Sequence, residues 1–299
     1  MFAPYALSVT WHPRQLAQQT GRTFVVTGAN SGIGLEAARA FAAHGAHVVL
    51  AVRDEARGAT AAAAIHGSTE VRRLDLADLS SVRAFTAAVT GEVDVLVNNA
   101  GVMVPPFGLT ADGFELQMGI NHLGHFALTN LLLPQLTGRV VTVASTAHRT
   151  GTIDPDDLNW SSRPYRRGAA YAQSKLANLL FTLELQRRLE ASGSEVIATA
   201  AHPGWAATNL GTPAYGAFAN AAIGFASRLL ANDAVDGATP TLFAAVGPMP
   251  GAGYAGPGRR RGLAGPPVIV GRSAAALDPD AAARLWDVSE RLTRVRYPL

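Results

Sequence analysis

Short apolar segments alternate with longer helical patterns along the first two-thirds of the chain. Each apolar segment is short enough for one buried strand, and each intervening stretch is long enough to cross a sheet as a helix. Parallel strands need such crossovers, and the crossovers cover both faces of the sheet. The alternation therefore predicts a doubly wound α/β fold with a mostly parallel sheet of about seven strands. The predicted strands are residues 23–27, 46–52, 71–74, 93–97, 140–144 and 196–200, with a short seventh at 268–270.

The helical patterns between these strands predict one continuous fold. A Gly- and Pro-rich stretch at 247–267 precedes a last helix over 278–295, for which Asp278 is a suitable cap and Pro279 a suitable first residue. We expect an N-terminal extension over 1–20, a single domain over 21–299, and a lid at about 205–235. The other predicted helices are residues 34–44, a pattern around 60–65, 82–89, 114–133 and 170–191.

The composition excludes several classes of protein. Hydrophobic residues make up 48% of the 299 residues and charged residues 16%, which is unlike a disordered chain or a coiled coil. Cysteine is absent, so a disulfide framework, a thiolate nucleophile and a cysteine-ligated metal are excluded. A metal site is not expected either, because His122 and His125 lack a supporting carboxylate pattern.

The charge pattern argues against a nucleic-acid partner. The formal net charge is only +3, and the one dense basic run, Arg259 to Arg261, lies among Gly and Pro and is predicted to be a solvated loop. No targeting segment or membrane span is predicted, because the longest charge-free run, 196–227, is broken by Pro, Gly and Asn. We expect the protein to be cytoplasmic, and a homo-oligomer is possible.

A glycine turn follows the first predicted strand and opens the first predicted helix. Its sequence is TGANSGIG, with glycines at Gly28, Gly32 and Gly34. Such glycines allow a tight turn and a close approach of the backbone to a pyrophosphate, while the helix N-terminus offers free N–H groups. The turn therefore indicates a dinucleotide-binding site.

With its GxxxGxG spacing the sequence resembles the short-chain dehydrogenase/reductase family. NNAG at 98–101 follows the fourth strand, Tyr171 and Lys175 form a YxxxK motif, Ser145 ends the fifth strand, and Pro203-Gly204 follow the sixth. The resemblance covers residues 20–295 and implies a Rossmann fold. It also implies these nucleotide contacts: Gly28, Asn30, Ser31, Gly32, Ile33, Gly34, Asn99, Ala100, Gly101, Tyr171, Lys175, Pro203 and Gly204.

The same resemblance implies catalytic roles for Asn121, Ser145, Tyr171 and Lys175. Tyr171 and Lys175 are four residues apart, so both project from one face of a helix. An ammonium beside a phenol favours the phenolate, and we expect Lys175 to lower the pKa of Tyr171 toward neutrality. Ser145 is expected to donate a hydrogen bond to the substrate oxygen, and Asn121 to hold a water that relays the proton.

Cofactor selection is expected at the end of the second strand, about 20 residues beyond the glycine turn. Arg53 stands there and precedes Asp54. A carboxylate at that place suits the ribose hydroxyl of NAD, whereas an arginine suits the 2′-phosphate of NADP. We therefore predict NADP(H), with NAD(H) possible. Asp75 and Leu76, after the third strand, are the expected adenine contacts.

The interval from Ser145 to Tyr171 is longer than is usual in the family, and with the sequence AVRD at 51–54 it resembles the retinol dehydrogenase-like and WW-domain-oxidoreductase-like branch. Residues 205–230 are almost free of charge, which predicts an apolar lid and a lipophilic alcohol or carbonyl substrate of retinoid, steroid or long-chain aldehyde type. The same residues suit core or a subunit contact. A catalytically idle NADP(H)-binding regulator is the alternative function, whereas an epimerase would need a larger C-terminal domain.

Overall fold

A computed structural model describes residues 11–204 and 234–299. Within these ranges eight strands form a single sheet. They are β1 (Thr23–Thr27), β2 (His47–Val52), β3 (Ser68–Arg73), β4 (Val93–Asn98), β5 (Leu136–Val143), β6 (Ile197–Ala201), β7 (Tyr254–Arg259) and β8 (Ala264–Ile269).

Helices connect these strands and cover both faces of the sheet. A π-helical turn, Gly119–Leu123, joins the fourth helix to the fifth, and short 3-10 turns occur at Pro13–Gln15, Leu133–Gln135, Thr146–Thr150, Arg260–Gly262 and Ala274–Leu277. The helices are α1 (Gly32–Ala43), α2 (Glu55–Ala63), α3 (Leu79–Ala88), α4 (Leu116–Met118), α5 (Gly124–Leu132), α6 (Arg167–Ala191), α7 (Ala234–Val246) and α8 (Pro279–Thr293).

The strand order is β3-β2-β1-β4-β5-β6-β7-β8, and every neighbouring pair is parallel except β7–β8. Because β1 lies between β2 and β4, the chain changes its direction across the sheet at β1. In open α/β sheets the crevice beyond the carboxyl ends of the strands at such a point is where ligands bind. The topology confirms the predicted doubly wound fold and locates its crevice.

Each face of the sheet carries its own apolar core. On one face Phe126, Phe181 and Trp286 pack together, with ring centroids 4.8 to 5.8 Å apart. The opposite face buries the rings of Phe24 and Phe41, with centroids 4.6 Å apart, beneath α1. Residues 11–20, assigned to the N-terminal extension, pack on this second core, because Trp11 is buried with its ring 5.7 Å from that of Phe243.

The main departure from the predicted elements lies in the last third of the chain. Strand β7 falls inside the Gly- and Pro-rich stretch that predicts no strand, so the sheet has eight strands among the described residues rather than about seven. Glycine and proline disfavour strands, but here β7 pairs in parallel with β6 on one side and antiparallel with β8 on the other. Tertiary pairing overrides the local preference.

Three further predictions can be compared with the structure. Helix α7 was not predicted and includes residues 234 and 235 of the proposed lid, whose remaining residues lie outside the described ranges. The predicted helix at 114–133 begins at Leu116 and contains the π-helical turn. The cap of α8 is confirmed, because the Asp278 side chain accepts from two backbone N–H groups of the first turn.

None of the helices that the structure describes combines the length and the apolar character needed to span a membrane.

Candidate functional site

The glycine turn lies at the carboxyl end of β1, in the crevice. Gly28 and Gly32 have φ values of +67° and +56°, a region that favours glycine. A Cβ atom at Gly34 would lie 2.4 Å from Asn99 Nδ2 and 2.7 Å from the carbonyl oxygen of Gly28. The turn therefore needs glycine at Gly34 for close packing and at Gly28 and Gly32 for their backbone conformation.

The N-terminus of α1 opens from this turn with free donors. Ser31 occupies the N-cap position, but its side chain makes no capping hydrogen bond. The first N–H groups of a helix have no partner within the helix and carry the positive end of its dipole. Ser31, Gly32, Ile33 and Gly34 thus fit the pyrophosphate of a dinucleotide, and Asn30 lies in the same turn.

Thr27, the last residue of β1, holds the NNAG segment against the glycine turn. Its hydroxyl oxygen accepts from the backbone N–H groups of Asn99 and Ala100, both at 2.9 Å. Asn99 Nδ2 in turn donates to the Thr27 carbonyl oxygen at 2.8 Å. Thr27 therefore fixes the ends of β1 and β4 relative to each other, a role that the sequence analysis did not assign.

His125 completes the hydrogen bonds of Thr27. The ring Nδ1 lies 3.2 Å from the Asn121 carbonyl oxygen and must donate to it, so in the neutral ring Nε2 is an acceptor. The Thr27 hydroxyl lies 2.9 Å from Nε2 and can donate to it. Burial lowers the pKa of His125 to about 4, which keeps the ring neutral. One chain of hydrogen bonds thus joins the NNAG segment to the π-helical turn.

Replacing Thr27 with valine keeps the shape of the side chain and removes its hydroxyl. Two N–H groups and the His125 ring then lose a partner, and we expect the free energy of unfolding to fall by about 3 kcal/mol. Thr27→Ser, which retains the hydroxyl, should lose markedly less. Chemical denaturation monitored by tryptophan fluorescence measures both, and equal losses would contradict the assigned role of the hydroxyl.

Ser145 and Tyr171 meet at the carboxyl end of β5. Ser145 caps the 3-10 turn Thr146–Thr150, and its Oγ accepts from the Ala147 N–H at 3.2 Å. Its hydroxyl also forms a hydrogen bond with the Tyr171 hydroxyl. A serine hydroxyl has one proton to donate, so an oxygen placed between the two side chains can be held by both.

Lys175 lies one helical turn beyond Tyr171, with its Nζ 5.7 Å from the Tyr171 ring centroid. The side chain is 5% exposed, and Nζ donates to the Val143 carbonyl oxygen at 3.1 Å. A Cβ atom at Gly101 would lie 3.6 Å from Nζ and 3.0 Å from Asn121 Oδ1. Gly101 therefore lets the lysine and the asparagine approach the same point.

The Asn121 side chain is occupied by protein partners. Its Oδ1 accepts from the Val102 N–H at 2.8 Å, and its Nδ2 donates to the Val102 carbonyl oxygen and to Ser174 Oγ, at 3.0 and 2.9 Å. These bonds hold the segment after NNAG beside α6. The expected water-holding role of Asn121 remains a prediction, and the side chain itself acts here as a clamp.

The sequence predicts that Lys175 lowers the pKa of Tyr171, and in the structure this prediction is wrong. Burial raises the pKa of Tyr171, and the hydrogen bond from Ser145 offsets this only in part. Burial also lowers the pKa of Lys175 to about 8. In the protein alone the lysine is thus poorly placed to lower the pKa of the phenol, because both groups are desolvated and the ammonium bonds to Val143 instead.

The remaining predicted contacts lie around the crevice. Arg53 is exposed at the end of β2, whereas Asp54 caps α2 by accepting from the Arg57 N–H at 3.0 Å. Asp75 accepts from the Ala77 N–H at 3.0 Å, and Leu76 is buried, close to Gly124. Beyond β6, Pro203 and Gly204 follow His202.

The long segment between Ser145 and Tyr171 is anchored by α4. The fully buried Glu115 accepts from the Tyr165 hydroxyl at 2.8 Å and caps α4 through the backbone N–H groups of Gln117 and Met118. Burial raises the pKa of Tyr165 and keeps it protonated. Tyr165 also packs edge-on against the exposed Phe107, with centroids 5.1 Å apart. These contacts hold the segment against α4.

His122 is a structural side chain. Ser289 donates to the Leu285 carbonyl oxygen, so its Oγ accepts from His122 Nε2 at 2.9 Å. Burial lowers the pKa of His122 to about 3, and the ring is neutral. The described residues contain no group of three or more side chains suited to a metal ion. His122 thus links the π-helical turn to α8.

Comparison with known proteins agrees with this geometry. The short chain dehydrogenase family model matches residues 22–216. Human retinol dehydrogenase 13 is 43% identical over 295 residues, covering 93% of this chain and 86% of that protein.

Two solved structures are also similar. A crystal structure described as an uncharacterized protein of Mycobacterium paratuberculosis is 52% identical, with a TM-score of 0.86 over 97% of this chain and 100% of that one. A Beutenbergia cavernae protein, described as an NAD(P) dependent gluconate 5-dehydrogenase with bound NADP at low occupancy, is 30% identical, with a TM-score of 0.58 over 77% and 91%. The chain belongs to the short-chain dehydrogenase/reductase family, in its retinol dehydrogenase-like branch, and is a short-chain alcohol dehydrogenase.

Proposed function

We propose that this enzyme uses NADP(H) to interconvert an alcohol and a carbonyl compound on a lipophilic substrate. The observation that supports the chemistry most directly is the meeting of Ser145, Tyr171 and Lys175 beside the glycine turn. A catalytically idle nucleotide-binding regulator would need the turn alone. It would not need a phenol that forms a hydrogen bond with a serine and lies one helical turn from a buried lysine.

The proposed roles follow from the donors on each side chain. A nicotinamide nucleotide supplies or accepts the hydride when bound. Ser145 donates to the substrate oxygen and orients it, while Tyr171 gives a proton to that oxygen in reduction and removes one in oxidation. Lys175 has three donor hydrogens and one described acceptor, Val143, so it can also hold a ribose hydroxyl.

The preference for NADP(H) rests on Arg53. In the described part of the chain no carboxylate pairs with its guanidinium. The adjacent Asp54 is used as a helix cap and is thereby turned to the backbone of α2. An exposed arginine at the end of β2 suits a 2′-phosphate, for which its planar fork supplies paired donors.

Replacing Arg53 with alanine should narrow the preference for NADPH over NADH by one to two orders of magnitude. The loss of one charge-assisted contact with the 2′-phosphate corresponds to about 1.5–3 kcal/mol. Fluorescence titration of both nucleotides measures the dissociation constants. Arg57→Ala, which removes an arginine from the exposed side of α2, is the matched control. Equal affinities of the unmodified protein for NADPH and NADH would refute the proposed preference.

The lipophilic substrate is supported by the low charge of residues 205–230 and by the similarity to retinol dehydrogenase 13. The test is a panel of retinal, a steroid ketone, long-chain aldehydes and the matching alcohols, followed at 340 nm with both nucleotides. We expect the highest kcat/KM for an apolar compound with NADPH or NADP⁺. Turnover confined to small polar sugars would contradict the proposal.

A further inference from the structure

A polar cavity lies next to Ser145 and has no role in the proposed transfer of hydride and proton. It is bounded by the turn Thr146–Thr150 and by the ends of β6, β7 and β8, and its volume is about 330 Å³. This volume is within the range of small-molecule sites. The side chains that matter for its chemistry are His148, Arg149, His202 and Tyr254.

The cavity adjoins the reaction centre. Thr146 in its wall follows Ser145 directly, and His148 Nδ1 donates to the Ser145 carbonyl oxygen at 2.6 Å. Tyr171 lies close enough to Tyr254 to contribute to the raised pKa of Tyr254, although burial is the main cause. A substrate held between Ser145 and Tyr171 can therefore extend a second group into the cavity.

His202 presents a hydrogen-bond donor at this wall. Its Nδ1 accepts from the Gly204 N–H at 3.2 Å, and burial lowers the pKa of His202 to about 4. The neutral ring therefore carries its proton on Nε2. No acceptor for Nε2 is found among residues 11–204 and 234–299.

Tyr254 adds a second donor without a partner to the wall, and Arg272 lies behind it. Tyr254 is 1% exposed and packs between the rings of His148 and His202, with centroids 5.7 and 5.1 Å away. Its hydroxyl is buried and bonds to nothing in the described chain. The Arg272 guanidinium lies 5.9 Å from the Tyr254 ring; one Nη donates to the Ala252 carbonyl oxygen, and the buried Nη1 has no partner.

The permanently charged side chains that the described residues place in or beside the cavity are cations. Arg149 acts on His148, His202 and Tyr254, and Arg272 acts on His148 and Tyr254; Tyr171 makes an opposing contribution at Tyr254. Among the described residues that line the cavity there is no Asp or Glu. Buried donors without acceptors are costly, and a positive field adds to the attraction for an anion that brings several lone pairs.

We propose that this cavity is a subsite for a carboxylate on the substrate, so that the enzyme acts on an oxo acid or hydroxy acid with an apolar body. The carboxylate accepts from Tyr254 and His202, beside the guanidinium of Arg149 in the wall, while Ser145 and Tyr171 hold the reacting oxygen. This inference rests on the proposed function and narrows its substrate class, because it adds an anionic group to the lipophilic alcohol or carbonyl compound.

The binding arm of the test compares benzoate with benzamide, which has the same shape and no charge. Isothermal titration calorimetry on the full chain should give a dissociation constant at least tenfold lower for benzoate. Tyr254→Phe, which removes only the hydroxyl, should reduce that ratio about tenfold. The matched control is Tyr297→Phe, because the Tyr297 hydroxyl bonds to Ser192 and lines no part of this cavity.

The turnover arm compares 4-formylbenzoate with 4-formylbenzamide in the presence of NADPH. We expect kcat/KM to be at least tenfold higher for the acid, and Tyr254→Phe to lower that ratio. Preferential binding of benzoate without turnover of either aldehyde would support the subsite and count against the proposed function. Equal turnover of both aldehydes would overturn the subsite and leave the proposed function standing.

Circular dichroism and the thermal midpoint establish that the Tyr254→Phe protein is folded. If it is not folded, Arg149→Gln on the cavity wall replaces it, with the same expected decrease in the benzoate-to-benzamide ratio. Equal affinity of the unmodified protein for benzoate and benzamide overturns the proposal without any variant.

Discussion

The Tyr171→Phe enzyme should lose at least about 10³-fold in turnover while it binds NADPH nearly as tightly as the unmodified protein. The hydroxyl is the group that exchanges a proton with the substrate oxygen, and general acid–base assistance accounts for about 10²–10⁴-fold in rate. The aromatic ring remains in place on α6. Steady-state turnover at 340 nm and a fluorescence titration with NADPH separate the two quantities.

Tyr165→Phe is the matched control for Tyr171→Phe. The Tyr165 hydroxyl bonds to Glu115 and Gln117, not to Ser145. Its loss should affect KM and thermal stability more than kcat. Activity of Tyr171→Phe within tenfold of the unmodified enzyme would show that Tyr171 is not the acid–base group.

Lys175→Arg should lower turnover by at least about 10²-fold. The guanidinium keeps the charge but is bulkier and planar, and it cannot reproduce the position of an ammonium that bonds to the Val143 carbonyl oxygen in a nearly closed space. A decrease of less than threefold would indicate that Lys175 only packs.

Lys175 is the one lysine of the chain, so its ionisation can be followed chemically. Amine-selective acylation, located by peptide mass spectrometry, requires the unprotonated amine. Because burial lowers the pKa of Lys175 from 10.5 to about 8, the labelling rate should rise with pH and reach half its maximum near pH 8. NADPH should protect the residue. Unchanged labelling at saturating nucleotide would place the lysine outside the binding site.

The sequence predicted the parts of the fold that local patterns specify. The run TFVVT gives β1 with the bounds that the structure has, and the glycine turn follows it directly. The sequence also predicted the cap at Asp278 and the helix that carries Tyr171 and Lys175. It failed for β7, because Gly256, Pro257 and Gly258 disfavour a strand and only pairing with β6 and β8 stabilises it.

In the candidate site, too, local motifs were predictable from the sequence, whereas features that depend on the folded structure were not. Motif spacing predicted Ser145, Tyr171 and Lys175 as site residues, and the end of β5 and the start of α6 bring the three together. Thr27 and His125 were missed as a pair because they lie far apart in the chain, and only the folded sheet brings the hydroxyl to the ring. The raised pKa of Tyr171 was missed for a related reason: desolvation depends on everything packed around the phenol.

Because α8 follows all the sheet strands in the chain, it affects the order in which the protein folds during synthesis. His122, beside the clamp residue Asn121, finds its partner Ser289 only when α8 docks, and Trp286 then stacks on Phe181 with their planes 11° apart. A ribosome exposes residues 279–293 after all of the sheet strands. We therefore expect the core beneath the π-helical turn to stay open to solvent during synthesis, with Phe126 and Phe181 exposed until α8 docks.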